Sequence, residues 1–139
     1  MKHLTRKAEE VYQALANQLN DLIPEQWEKV LLYVEDWDDS SPAYFFYYPA
    51  EGTGPVLSHD IPERFEMDSD DFEMKEYELV ETGLSLQRVF REGRQEPWTS
   101  FTFILEQNGH FKVGYSYEDL TEVDPGEQRE AWKAKYGIE

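Results

Sequence analysis

Carboxylates are the chemically able groups this chain holds in excess, and two clusters come nearest to a ligand pattern. They are Asp36-Trp37-Asp38-Asp39 and Asp68-Ser69-Asp70-Asp71 with Glu73. Asp36-x-Asp38-x-Ser40 begins as a calcium loop does. Such a loop needs Gly at its sixth position and a bidentate Glu at its twelfth, and Ser41 and Tyr47 stand there instead. Asp68-x-Asp70 puts Leu79 at its twelfth position and fails in the same way. His3, His59 and His110 sit in separate segments without metal-ligand spacing. Cysteine is absent, which removes disulfides, thiolate nucleophiles and Cys-based zinc sites. There is no G-x-S-x-G, no G-x-x-x-x-G-K and no G-x-G-x-x-G. Carboxylate pairs occur in any acid-rich chain, so a pair alone makes no general acid and base. The expectation is no catalytic residue, no metal, no cofactor and no enzyme.

Without catalysis, a carboxylate cluster can still hold a basic partner, because it pairs bidentately with Arg. The turn Asp36, Trp37, Asp38 and Asp39 reads in two ways. It is a solvated loop whose Trp37 folds onto the core, or an exposed aromatic anchor ringed by acids, of the kind that dominates interfaces. Asp68, Asp70, Asp71 and Glu73 form the second candidate contact. Short acids there also suit a helix start, where they cap free N–H groups and meet the positive end of the dipole.

The charge is concentrated. The chain carries 13 Lys+Arg against 30 Asp+Glu, a formal net charge of −17. Residues 21–81 contain 18 acids and only three bases, Lys29, Arg64 and Lys75. Such a field repels nucleic acid and anionic lipid and steers basic proteins toward it. The aromatic run Tyr44–Tyr48 would need a basic groove to stack single strands; its flanks are acidic, so one face is expected in the core and the other at an interface.

Those clusters must be positioned by folded elements. At 139 residues, with 15% aromatics, the chain is expected to form a single domain spanning 1–139. The basic start, Met1-Lys2-His3-Leu4-Thr5-Arg6-Lys7, is followed by no apolar stretch, so no signal peptide is expected and a cytoplasmic location fits. No apolar run reaches 18 residues, so no membrane span is expected. Leu4, Ala8, Val11, Tyr12, Leu15, Leu19 and Leu22 predict a helix over 5–22, ended by Pro24. Residues 29–35 and 43–48 predict a hairpin of strands, with a short strand near 56–58. A second helix should start at Asp68-Ser69-Asp70-Asp71, carry the apolar residues Phe72, Tyr77, Val80, Leu84, Val89 and Phe90, and stop at Gly93, a residue suited to a left-handed cap. Gly83 reads as its weak point. Residues 98–106 and 111–117 predict a second hairpin, closed by a type I′ turn at Asn108-Gly109. Asp124-Pro125 opens a last helix with Trp132 and Tyr136 on one face. The fold class is α+β, a mainly antiparallel sheet with the N-terminal, middle and C-terminal helices packed against it, here expected on one face.

Several of these segments resemble a known family. Leu22-Ile23-Pro24-Glu25-Gln26-Trp27-Glu28-Lys29-Val30 is similar to the Ile-Pro-x-x-Trp-x-Lys-Val entry of the YezG/EsaG-like immunity proteins. Glu96-Pro97-Trp98-Thr99-Ser100 with Phe101-x-Phe103, then Gly109-x-Phe111-Lys112-Val113-x-Tyr115-x-Tyr117, resembles its second hairpin. Trp132-x-x-x-Tyr136-Gly137-Ile138 looks like its closing helix. The resemblance implies a cytoplasmic antitoxin that binds a secreted toxin nuclease, including toxins leaving by a type VII route. It carries over no catalytic residue. The segment from Glu66 to Gly93 is more acidic than the family pattern. The competing readings are an acidic adaptor or structural interaction protein, and a hydrolase using an unrecognised carboxylate pair. A broad acidic face would favour the immunity reading; an aromatic-lined pocket with two close carboxylates would favour the hydrolase.

Overall fold

Val30, Leu32 and Val34 point to one side of their strand, and Leu31 and Tyr33 to the other. A strand apolar on both sides belongs at the centre of a sheet covered on both faces. The computed structural model, which describes residues 2–36, 42–96, 98–120 and 122–138, places it there. Strand β1 (Trp27–Glu35) lies between β2 (Ala43–Pro49) and β4 (Ser100–Glu106), and β3 (Val56–Leu57) and β5 (Phe111–Ser116) form the edges. The order is β3-β2-β1-β4-β5, and every pairing is antiparallel. Helix α1 (Lys2–Leu22) precedes the sheet. A 3-10 turn (Ser58–Asp60), the short α2 (Ile61–Arg64) and the long α3 (Ser69–Glu92) follow β3, and α4 (Pro125–Lys135) closes the chain.

The helices occupy both faces, not one. Helices α1 and α3 cover the side of Val30, Leu32, Val34, Phe45, Tyr47, Phe101 and Phe103. Helix α4 covers the other side, where Trp132 and Ile138 pack with Leu31, Tyr33, Tyr44 and Phe46. The indole N–H of Trp132 donates to Oγ1 of Thr102 at 2.9 Å. The second face of β2, expected at an interface, is therefore core beneath α4, where Tyr44 and Phe46 are buried. Aromatic residues on both sides of β1 and β2 require this second cover, and a single helix with a large indole provides it.

Three local expectations also change. Helix α3 ends in a Schellman arrangement whose left-handed residue is Arg94 (φ 58°), one position beyond Gly93, which has φ −84°. Gln95 N–H donates to Phe90 C=O at 2.8 Å and Arg94 N–H to Arg91 C=O at 3.1 Å. The second hairpin has a three-residue loop: Gly109 N–H donates to Glu106 C=O at 2.9 Å, and Glu106 N–H to His110 C=O at 2.8 Å. Only Gly109 has positive φ there (93°), so a turn followed by a left-handed glycine replaces type I′. Trp98 precedes β4 outside the strand, and is fully buried against Phe101.

Candidate partner-binding face

Helix α3 presents the acidic surface, and its inward stripe decides which residues that surface contains. Phe72, Leu79, Gly83 and Leu86 recur at seven, four and three residues and are all buried. Gly83 lies against the sheet: a Cβ there would stand 3.0 Å from Cζ of Phe101. Gly83 is thus a close-packing residue and not a weak point. Its contact turns the opposite stripe, Asp70, Met74, Tyr77, Glu78 and Glu81, outward. Tyr77, one of the apolar residues that the sequence assigns to this helix, is exposed. The signal that finds the true inward face is the interval 72, 79, 83, 86, which admits a glycine; reading only large apolar residues skips it.

The acids gather around this helix. Residues 60–81 hold ten acids against two bases, Arg64 and Lys75. Asp60, Glu63, Glu66, Asp68, Asp70, Asp71, Glu73, Glu78 and Glu81 are exposed. Among the described residues, none of Asp70, Asp71, Glu73, Glu78 and Glu81 pairs with a base. Asp68 is the helix cap: its Oδ1 accepts from the N–H groups of Asp70 at 2.8 Å and Asp71 at 3.3 Å. So Asp68, Asp70, Asp71 and Glu73 do come together, with Asp68 partly committed to the helix.

The other predicted cluster is only partly described. Asp36 is half-buried, and its N–H donates to Thr99 C=O at 3.0 Å, joining the end of β1 to the approach to β4. Trp37, Asp38 and Asp39 lie outside the described residues, as do Ser40, Ser41, Pro97 and the side chain of Leu4.

Two clefts flank His59. The first, about 330 Å³, lies between α2 and α3 and is lined by Glu63, Glu73, Glu76, Ser69 and the buried Phe72. Nε2 of His59 is 4.0 Å from Oε2 of Glu76, beyond hydrogen-bond length, so the two do not form a proton relay. Burial pushes the Glu76 carboxyl above its ordinary range; His59 opposes the shift and Glu73 adds to it. The second cleft, about 310 Å³, lies under the start of α4 and holds Glu35, Tyr44 and Arg129. The guanidinium carbon of Arg129 sits 6.0 Å from the Tyr44 ring centre. Burial also raises the Tyr44 phenol. Among the described residues, no three His, Asp or Glu side chains converge to hold a metal ion. No helix among them is long and apolar enough to cross a membrane.

Comparison with known proteins supplies what the geometry of an exposed acidic helix leaves open. The model of the family described as immunity protein YezG-like matches residues 8–138. The chain is similar to Immunity protein YezG of Bacillus spizizenii, with 35% identity covering 94% of this chain and 83% of the relative. It is similar to Immunity protein YezG of Bacillus subtilis, with 33% identity covering 91% and 85%. It is also similar to Type VII secretion system protein EsaG of Staphylococcus aureus, with 32% identity covering 87% and 74%. A family match across nearly the whole chain, on a two-sided antiparallel sheet that exposes an acidic helix, places this chain in the YezG-like immunity protein family.

Proposed function

We propose that this chain is a cytoplasmic, non-enzymatic immunity protein that neutralises a cognate toxin nuclease by covering its basic active-site groove. Membership of an immunity-protein family supports a protective role and a toxin partner. The name of the staphylococcal relative ties that protein to type VII secretion. The observation that carries the reading is the acid-rich side of α2 and α3, ten acids against two bases in residues 60–81. Nuclease sites are basic because they bind phosphate. An acidic face competes for that position and speeds association with it. Asp68, Asp70, Asp71 and Glu73 are proposed as one contact, and Asp36, Trp37, Asp38 and Asp39 as a second. Neither contact requires chemistry of its own, so inhibition is stoichiometric.

The test is co-expression with the cognate toxin domain, read as growth rescue, followed by a nuclease assay on the purified pair. Activity should fall linearly to zero at one equivalent of this chain, and association should slow as salt rises. A neutralised toxin with no nuclease activity, or an association rate indifferent to salt, would refute the proposal.

A further inference from the structure

We infer that Met74 and Tyr77 are the apolar centre of the toxin-docking surface, and that the toxin receives α3 in a groove with an apolar socket rimmed by Arg or Lys. The inference rests on the proposed function only for the existence of a toxin partner. Met74 is 66% exposed and Tyr77 65% exposed, the highest values among the exposed large hydrophobic residues described. Phe111, also exposed, is accounted for by its ring contacts with Tyr12 and Phe103 at 5.5 Å each. Single exposed apolar residues need no explanation. These two lie three apart on one helical stripe, opposite the buried Phe72, Leu79, Gly83 and Leu86, so they form one patch.

The rim identifies the occupant. Asp70 precedes Met74 by one turn, and Glu78 and Glu81 follow it on the same stripe; Asp71 and Glu73 lie beside it. A second copy of this chain would set acid against acid across the patch. Nucleic acid and anionic lipid meet the same repulsion. A basic protein surface is attracted by every one of these groups. An apolar centre within a charged rim is how helix-in-groove interfaces are built: the rim sets the encounter rate and the buried centre sets residence time. Tyr and Met suit the centre, Tyr as a rigid amphipathic anchor and Met as an adaptable filler. From Asp70 to Glu81 the stripe runs roughly 16 Å, at 1.5 Å per residue.

The experiment uses the toxin domain that the wild-type chain neutralises, with binding kinetics measured at low and high salt. Tyr77→Ala should raise the dissociation rate roughly thirtyfold, the cost of a central anchor, with the association rate nearly unchanged. Met74→Ala should act in the same direction and more weakly. The triple variant Asp70→Asn/Glu78→Gln/Glu81→Gln should slow association and flatten its salt dependence while changing dissociation little. Val123→Ala, an exposed apolar site outside α3, should leave both rates unchanged. Unaltered melting curves would show that the exposed substitutions leave the fold intact. Wild-type rates for both Tyr77→Ala and Met74→Ala would overturn the inference. So would wild-type self-association abolished by Tyr77→Ala, which would assign the patch to a homodimer. A toxin that lacks nuclease activity but loses its grip on Tyr77→Ala would sink the nuclease reading and keep this one.

Discussion

Replacing Gly83 with alanine sets helix propensity against packing, and the packing should win. Propensity alone favours alanine by about 1 kcal/mol inside a helix. The new Cβ would stand 3.0 Å from Cζ of Phe101, 3.4 Å from its Cε2 and 3.6 Å from Cγ2 of Val34. The ring cannot retreat freely. Phe101 is 1% exposed, and Trp98 packs against it edge-on with ring centres 5.0 Å apart. Overpacking of this kind costs about 1–3 kcal/mol. The net loss is therefore about 0–2 kcal/mol, and a loss of 1 kcal/mol lowers Tm by roughly 3–5 °C in a domain this size. Urea unfolding followed by tryptophan fluorescence measures it, with an unchanged m-value confirming that the denatured state is unaltered. Phe101→Leu removes the atom that clashes, so Gly83→Ala/Phe101→Leu should be more stable than the sum of the single changes by about 0.5–3 kcal/mol. If Gly83→Ala instead stabilises by the full propensity gain, α3 does not seat on the sheet at this residue. The outward placement of Met74 and Tyr77 would then lose its structural basis.

Two further outcomes follow from the other face of the sheet. Trp132→Ala should cost about 3–5 kcal/mol, since the indole is 5% exposed and its ring packs on those of Tyr33, Tyr44 and Phe46. Trp132→Phe should cost less, mainly the bond to Thr102, and hydrogen exchange along α4 should rank the two variants in that order. Stability should also fall at alkaline pH. Burial, with the Glu35 charge adding to it, pushes the Tyr33 phenol from 10.0 up to about 12. Above pH 10 the unfolded chain releases a proton that the fold retains, so stability drops with rising pH up to about 12. Urea unfolding over that range checks it; Tyr33→Phe should reduce the slope, and a flat profile for the wild type would refute it.

The elements were legible where period and punctuation agree. The β-branched and aromatic run 29–35, the alternation within 98–106, the acidic helix start at Asp68-Ser69-Asp70-Asp71, the cap Asp124, and the spacing of Leu15, Leu19 and Leu22 all act locally, and the strand or helix each one predicts is present. The side of the sheet on which α4 packs was not legible. It depends on which aromatic residues of β1 and β2 remain uncovered once α1 and α3 have docked, and that is settled only in three dimensions. The rotation of α3 was not legible for a related reason. Large apolar residues alone do not mark its inside, because the closest approach to the sheet is at Gly83, whose lack of a side chain permits it. For the candidate site, the acidity of 60–81 was plain from composition, while the exposure of Tyr77 was not.

The rotation of α3 gives its inward stripe to stability and leaves its outward stripe to the docking proposed above. The inward stripe of α3 contains Phe72, Leu79, Gly83 and Leu86, and no charge. Its outward stripe holds three acids, a Met and a Tyr, with no base to pair them among the described residues. Such an arrangement weakens the isolated protein, because like charges on neighbouring turns repel. A sequence shaped for stability alone would interleave Lys among these acids. In the docking proposed above, a basic surface closes over this row and neutralises it, so the energetic benefit belongs to that complex and not to the free chain. The apolar pair fits the same logic, since exposed Met and Tyr side chains release water only on docking.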